Sequence, residues 1–300
     1  MRITLRQLAV FEAIARHGSV SRGAEEVALS QSAASMALKE LESGLRMTLF
    51  HRSGKQLALN ENGRRIQPMV RSLLAQAREI EHHGPPQEMS GVLRVGASTG
   101  IGSYLLGATC AAFARQFPLV RLKLQVAYSG EVIRRVESMA CDFGLIESPC
   151  NRATLNVESL AEEELVVVAA PGHPLTSAAR VTPADLRAAA WCLGDIDSYT
   201  RQMVTLGLGQ GGLTILLESN SLAAVKSAVL AGMGLGCISR GAVAQELASG
   251  ALTALRVEGL PLRRTLSLIY PKGIYQGPPE TAFIESVRHT LGEPRYVPHA

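Results

Sequence analysis

Residues 18–63 constrain this chain most. They read GSVSRGAEEVALSQSAASMALKELESGLRMTLFHRSGKQLALNENG, two short apolar-periodic helices, each preceded by a serine (Ser19, Ser30) able to cap free backbone N–H groups. The Ala28-Leu29-Ser30 link between them has the length of a helix-turn-helix turn. Leu8, Phe11 and Ala15 recur at helical spacing and add a supporting helix over 4–17. The second helix opens on Gln31, Ser32 and Ser35, short polar side chains on a small-residue surface. That composition suits close approach to base edges in the major groove. Arg52, in an expected wing, and Lys39 would reach phosphates. The expected DNA-binding set is therefore Ser19, Arg22, Ser30, Gln31, Ser32, Ser35, Lys39 and Arg52.

Charge is distributed to match. Residues 1–83 carry 12 Lys+Arg against 8 Asp+Glu, and residues 84–300 balance at 18 and 18, so the net +4 lies in the first part. Neutralising phosphate is the sequence-independent share of DNA affinity, which a basic head on a neutral body supplies. The N-terminus has no apolar signal core and no stretch approaches the ~20 apolar residues of a membrane span, which predicts no membrane partner. Five cysteines without a C-x-x-C pair point to a reducing, cytoplasmic setting and to no metal site. No cofactor motif survives inspection, and none is expected.

From residue 61 to about 83 a longer helix carries Ile66, Val70, Leu73, Ala77 and Ile80, spaced as the seam of a two-stranded coiled coil. It runs into Gly84-Pro85-Pro86, a hinge with no core of its own. The expected assembly is a homodimer or homotetramer whose paired heads read an interrupted palindrome. After residue 91 strands and helices alternate: strands at 93–96, 122–126 and 143–146, helices over 102–117 and 131–139. A second series follows, with strands at 165–169, 214–217 and 235–238, a helix over 223–231, and a returning strand at 266–270. That rhythm predicts an α/β fold with a mostly parallel sheet.

Two motifs would suit enzymes. Gly96-Ala97-Ser98-Thr99-Gly100 fits G-x-S-x-G at a strand-to-helix junction, but no oxyanion segment accompanies it and His173, His289 and His299 lack supporting context. Gly207, Gly209 and Gly212 fit G-x-G-x-x-G in the wrong order of helix and strand. No catalytic residue is expected. A helix starting at Ser98, Thr99 and Gly100 instead offers free N–H groups to an anion, and Ser219-Asn220-Ser221 precedes another helix in the same way. Cys141 and Cys150 leave a thiol-based redox switch as an alternative.

The head resembles the LysR-type transcriptional regulators, through Gly18-Ser19, Ala24, Ser30-Gln31-Ser32-Ala33, Ser35, Leu41-Glu42, Leu45, Leu49-Phe50 with Arg52, and Gly63. Gly23, Arg46 and Asn60 stand where that family usually has Ala, Gly and Thr. The second half is similar to a narrower group of sulfur- and carbon-assimilation regulators, CysL-like and CbbR-like. Its matches are Gly144-Leu145-Ile146-Glu147, Pro149-Cys150, Glu163-Glu164-Leu165-Val166, His173-Pro174-Leu175, Ser198, Thr200, Arg201 and residues 225–250. Asp195, Asp197, Tyr128 and Tyr199 depart from that pattern and alter the size and charge of a pocket.

The resemblance implies an N-terminal winged helix-turn-helix over 1–60, a linker helix and hinge over 61–88, and a two-lobed periplasmic-binding-protein-like (type II) effector domain over 89–300. Lobe I would hold about 89–162 and 268–300, lobe II about 163–267. It also implies a small, anionic effector between the lobes, adding Ser129, Ser198, Tyr199, Thr200 and Arg201 to Ser98, Thr99, Gly100, Ser219, Asn220 and Ser221. The expected function is sequence-specific DNA binding modulated by that effector.

Overall fold

A computed structural model describes residues 3–53, 56–81, 88–209, 212–260 and 262–292. These form two compact units. One holds the described residues up to Gly91 with Gln116–Val120 and Lys272–Ala282; the other holds the remainder.

In the first unit, helix α1 (Leu5–His17) begins at a capping box. Gln7 donates its backbone N–H to Thr4 Oγ1, and Thr4 donates its own to Gln7 Oε1. Helices α2 (Val20–Glu26) and α3 (Gln31–Leu45) follow. Ser30 caps α3 by accepting the Ala33 N–H at 3.2 Å, but Ser19 makes no capping bond to α2, contrary to expectation. Gly23 has a packing reason: a Cβ there would fall 2.8 Å from Ile14 Cγ1, so α2 lies closer to α1 than an alanine allows. Strands β1 (Phe50–Ser53) and β2 (Gln56–Leu59) pair antiparallel as the wing. Glu42 holds the start of the wing by accepting the Leu49 N–H at 2.6 Å. Asn60 accepts the Gly63 N–H at 2.9 Å and opens helix α4 (Glu61–Glu81).

Helix α4 corrects the expected seam. Val70 is only 4% exposed and, with Leu74, belongs to the core of Leu8, Phe11, Ile14, Leu41 and Leu49, with Ile66 packed against it. The winged helix needs this cover, so the first half of α4 turns its apolar face inward. The apolar residues left facing water are Met69, Leu73 and Ile80. With exposed Gln76 they recur at spacings of four, three and four, a stripe rotated toward solvent from the expected one. The Gly84-Pro85-Pro86 hinge lies outside the described residues.

From Gly91 the chain runs β3 (Gly91–Ser98), α5 (Thr99–Tyr104), α6 (Gly107–Gln116), β4 (Val120–Ala127), α7 (Ser129–Glu137), β5 (Phe143–Ile146) and β6 (Leu155–Ala169). It continues with α8 (Pro183–Ala188), β7 (Ala190–Leu193), α9 (Tyr199–Leu208), β8 (Thr214–Glu218), α10 (Leu222–Leu230) and β9 (Gly236–Ser239). Last come α11 (Ala244–Ser249), β10 (Thr253–Ala254), β11 (Arg263–Pro271) and α12 (Pro278–Gly292). The helix expected over 102–117 is thus two helices broken beside buried Leu106.

The strands order as β10-β6-β11-β5-β3-β4, with β9 also on β6 and β7-β8 forming a separate pair. The β3–β5 and β7–β8 pairings are parallel, but β11 runs antiparallel to β5 and β6, and β6 antiparallel to β9 and β10. A mostly parallel sheet is therefore not what forms. The reason is the crossing chain: β6 pairs with β11 over 155–164, then passes on to β9 over 165–168. Each crossing strand runs opposite to its neighbour, and the β6–β11 register slips at Leu266/Ser267. One core cluster packs Val132, Val136, Ile146 and Ile269; another packs Trp191, Leu186, Val204 and Leu235.

Candidate functional site

On the first unit, Gln31, Ser32, Ser35 and Lys39 are exposed along α3, whereas Ala34, Leu38 and Leu41 face the core. The helical period thus separates a polar outer face from an apolar inner one. Ser30 Oγ sits 3.0 Å from Ser32 Oγ and is committed to its cap. Arg22 is exposed on α2, and Ser19 is half-buried with its hydroxyl unused by the cap. The Arg52 side chain lies outside the described residues. Arg46 closes α3 with φ 55°, a left-handed conformation that glycine adopts without penalty.

A cleft of about 40 Å³ lies within the second unit. That is room for about three waters, since one needs ~10–15 Å³. Of the residues expected there, Thr99, Gly100, Ser198, Thr200, Ser219 and Asn220 line it. The others do different work. Ser98 is fully buried behind Thr99. Ser129 Oγ accepts the Glu147 N–H at 3.3 Å, and Ser221 caps α10 through the Ala224 N–H. Tyr199 begins α9, half-buried. Arg201 bonds Glu218 at 2.5 Å and the Gly194 carbonyl at 3.2 Å, both local partners, so it is not the cation of the cleft.

That cation is Arg264, which the sequence reading missed. Its side chain is 3% exposed and reaches Glu163 at 2.6 Å, Glu147 at 2.9 Å and Thr200 Oγ1 at 2.9 Å. Glu163 also accepts the Ser239 hydroxyl at 2.6 Å. A Cβ on Gly100 would stand 2.7 Å from Glu147 Oε2, so glycine lets the start of α5 approach this cluster. One arginine between two carboxylates leaves the cluster short of positive charge. Burial accordingly pushes the Glu147 carboxyl above the usual carboxylate range, against the pull of Arg264. Tyr128 also lines the cleft; burial first, then the nearby charge of Asp195, pushes its hydroxyl up to about 12, so it stays a neutral donor.

Ser98 Oγ, Tyr128 OH and Glu147 Oε2 are buried yet have no aligned hydrogen-bond partner. Glu147 Oε2 lies 2.9 Å from Arg264 Nη2, and the Ser98 hydroxyl also neighbours the Glu147 carboxyl. Among the described residues one further side-chain atom, Arg16 Nε, shares that condition. Unpaired buried polar atoms cost about 1–3 kcal/mol each; Tyr128 and Glu147 line the cleft and Ser98 is buried next to Thr99 of its lining.

Burial acts on both thiols of the redox alternative. Cys141 is fully buried, and burial, with Asp142, pushes its thiol up to about 11; burial pushes the half-buried Cys150 up as well. Both shifts disfavour the reactive thiolate. Among the described residues no His/Cys/Asp/Glu group is arranged to hold a metal ion, and no helix is long and apolar enough to cross a membrane.

Residues 5–64 match the bacterial regulatory helix-turn-helix protein model of the lysR family, and residues 86–292 match the LysR substrate binding domain. The chain is 39% identical over 272 residues to YeiE of Escherichia coli K12, an uncharacterized HTH-type transcriptional regulator, covering 90% of this chain and 92% of that one. It is 34% identical to a RuBisCO operon transcriptional regulator of Allochromatium vinosum, with 96% of each covered. A full-length OxyR variant from Pseudomonas aeruginosa superposes with a TM-score of 0.76 at 24% identity, over 97% of this chain and 95% of that one. The CcmR regulatory domain of Synechocystis PCC6803, in complex with 2-PG, gives 0.62 at 22% identity, over 68% of this chain and 99% of that one. These two likenesses are of fold.

Proposed function

We propose, from the premise that this chain belongs to the LysR family of bacterial helix-turn-helix transcriptional regulators, that its cleft senses a small oxyanion carrying a hydrogen-bond donor. The chain is a DNA-binding regulator with an effector-binding domain. Three unpartnered polar atoms around one cleft carry the finer reading. Ser98 lies beside Glu147 and Tyr128 beside Asp195 without well-aligned bonds, so either hydroxyl can turn to a ligand acceptor and Glu147 Oε2 can take a ligand donor. The start of α5 at Thr99 and Gly100 adds N–H groups for negative charge. Arg264 is already shared by Glu147 and Glu163, so a bare dianion would face two carboxylates with one cation. An anion that keeps a proton or a hydroxyl satisfies Glu147 as well. CcmR, of the same fold, forms a complex with 2-PG, and a small-molecule effector is the reading we adopt for this chain too.

On DNA, Gln31 and Ser35 read base edges while Ser19, Arg22, Ser30, Ser32, Lys39 and Arg52 hold backbone. Two copies pair through the Met69, Leu73, Gln76 and Ile80 stripe of α4 and place two heads on an interrupted palindrome. Effector occupancy shifts the population of paired-head arrangements. Calorimetric titration of the full chain with phosphate, sulfate, glycolate and acetate at pH 7 tests the cleft. Phosphate and glycolate, which carry a donor, bind at least about tenfold tighter than sulfate and acetate, a difference of about 1.4 kcal/mol for one hydrogen bond to a charged group. Equal affinity within each pair would remove Glu147 from recognition.

A further inference from the structure

We infer that Glu12, Gln67 and Arg71 form a positioning lock that fixes the rotation of helix α4 on the DNA-reading head and so sets the spacing between half-sites. Glu12 lies on α1 with its side chain 4% exposed, inside a core otherwise built from Leu8, Phe11, Ile14, Leu41 and Val70. Its carboxylate accepts from Arg71 Nε at 2.6 Å and from Gln67 Nε2 at 3.2 Å. Arg16 Nη2 completes the set at 3.3 Å.

Stability alone does not account for this cluster. A buried ion pair is often no better than well-packed apolar side chains of the same volume, because desolvation offsets the attraction. What such a pair supplies in some proteins is a single permitted register. Here the geometry suits that role. Gln67 and Arg71 are four residues apart on one face of α4, so one carboxylate gripping both fixes the helix in rotation and in translation. They bracket Pro68, whose missing N–H removes one helical hydrogen bond where the helix would otherwise bend most easily. At about 100° per residue, the gripped face lies roughly opposite the exposed stripe of Met69, Leu73, Gln76 and Ile80. Holding one face therefore aims the other. An apolar contact in its place would tolerate rotation, since hydrophobic packing is non-directional.

The lock rests on the reading that two copies pair through that stripe. Its test is the affinity of the full chain for palindromes whose half-site spacing is changed in single base-pair steps, beside affinity for one half-site. Two inserted base pairs turn one half-site by about 70° relative to the other. Wild type loses at least about tenfold in affinity there, the sum of misplaced contacts on one head. The variant Glu12→Leu/Gln67→Leu/Arg71→Met keeps its half-site affinity, and its spacing profile flattens to within about threefold. Glu12→Gln keeps one oxygen to accept from Arg71, and its amide N–H can donate to Gln67 once that amide flips, so the wild-type profile is kept. If the triple variant does not fold, Arg71→Gln alone carries the same readout. A profile as sharp as wild type in the triple variant or Arg71→Gln overturns the lock. A wild type that is dimeric by light scattering but shows no spacing preference overturns the pairing geometry and the lock together.

Discussion

Glu12 in the DNA-reading head and Glu147 in the effector cleft are both buried carboxylates, yet their surroundings differ. Glu12 is held by one guanidinium at 2.6 Å, by an amide, and by a second arginine. Glu147 shares its one arginine with Glu163, and its Oε2 has Arg264 and the Ser98 hydroxyl nearby but no well-aligned donor. A carboxylate whose oxygens are all occupied specifies a structure. One whose oxygen is left open, with neutral hydroxyls nearby, specifies a ligand. On the proposed reading, the cost of the open site is borne by the fold until an effector arrives, and occupancy can then do work on it.

The largest expected effect breaks the first half of this contrast. Glu12→Ala leaves Arg71 and Gln67 buried without their acceptor and lowers the stability of the full chain by about 3 kcal/mol or more in urea melts. Glu147→Ala leaves Arg264 with Glu163 and changes stability by less than about 1 kcal/mol. Equal losses would mean that Glu147 is as structural as Glu12. Next, Thr99→Val keeps the shape at the start of α5 and removes the hydroxyl of a residue that lines the cleft. Phosphate affinity should fall about tenfold by calorimetry while half-site DNA binding stays unchanged. An unaltered affinity would place the ligand away from α5.

A smaller effect sharpens the local side of the comparison. Arg46 sits left-handed at the end of α3, so Arg46→Gly should raise the melting stability of the head by about 1 kcal/mol, with no change in effector affinity. No gain would mean that Arg46 offsets its strain elsewhere. The smallest concerns pH. The Glu147 carboxyl is raised in the folded state, so the fold binds its proton more tightly than the unfolded chain does. Its stability relative to Glu147→Gln is greatest below the usual carboxylate range and declines as pH rises through that range toward the folded value. A difference that instead grows with pH would reverse the assigned cause.

The two regions also differed in how far the sequence revealed them. The head is built from neighbours in sequence: capping residues, a three-residue turn and an apolar helical period lie within about sixty residues, and the exposed face of α3 follows from that period. Where the reading slipped, on α4, one helix served two partners, and periodicity alone cannot say which apolar face turns inward. The cleft gathers residues far apart in the chain. Thr99 and Ser219 were legible as helix starts, but Arg264 meets Glu147 and Glu163 only because β11 returns between β5 and β6. One signal was present: strand alternation puts Arg264 on the side of Leu266, the buried side. Arg201 resembled the expected cation, yet Glu218, seventeen residues on, takes it.

On the proposed function, the open carboxylate, and not the closed one, chooses the ligand. The direct measurement is the ratio of phosphate to sulfate affinity, by calorimetry at pH 7, in wild type, Glu12→Gln and Glu147→Gln. The expected preference for phosphate is at least about tenfold in wild type and in Glu12→Gln, falling to about one in Glu147→Gln, whose amide can donate as well as accept. A preference that survives in Glu147→Gln, or one already absent from wild type, would contradict it.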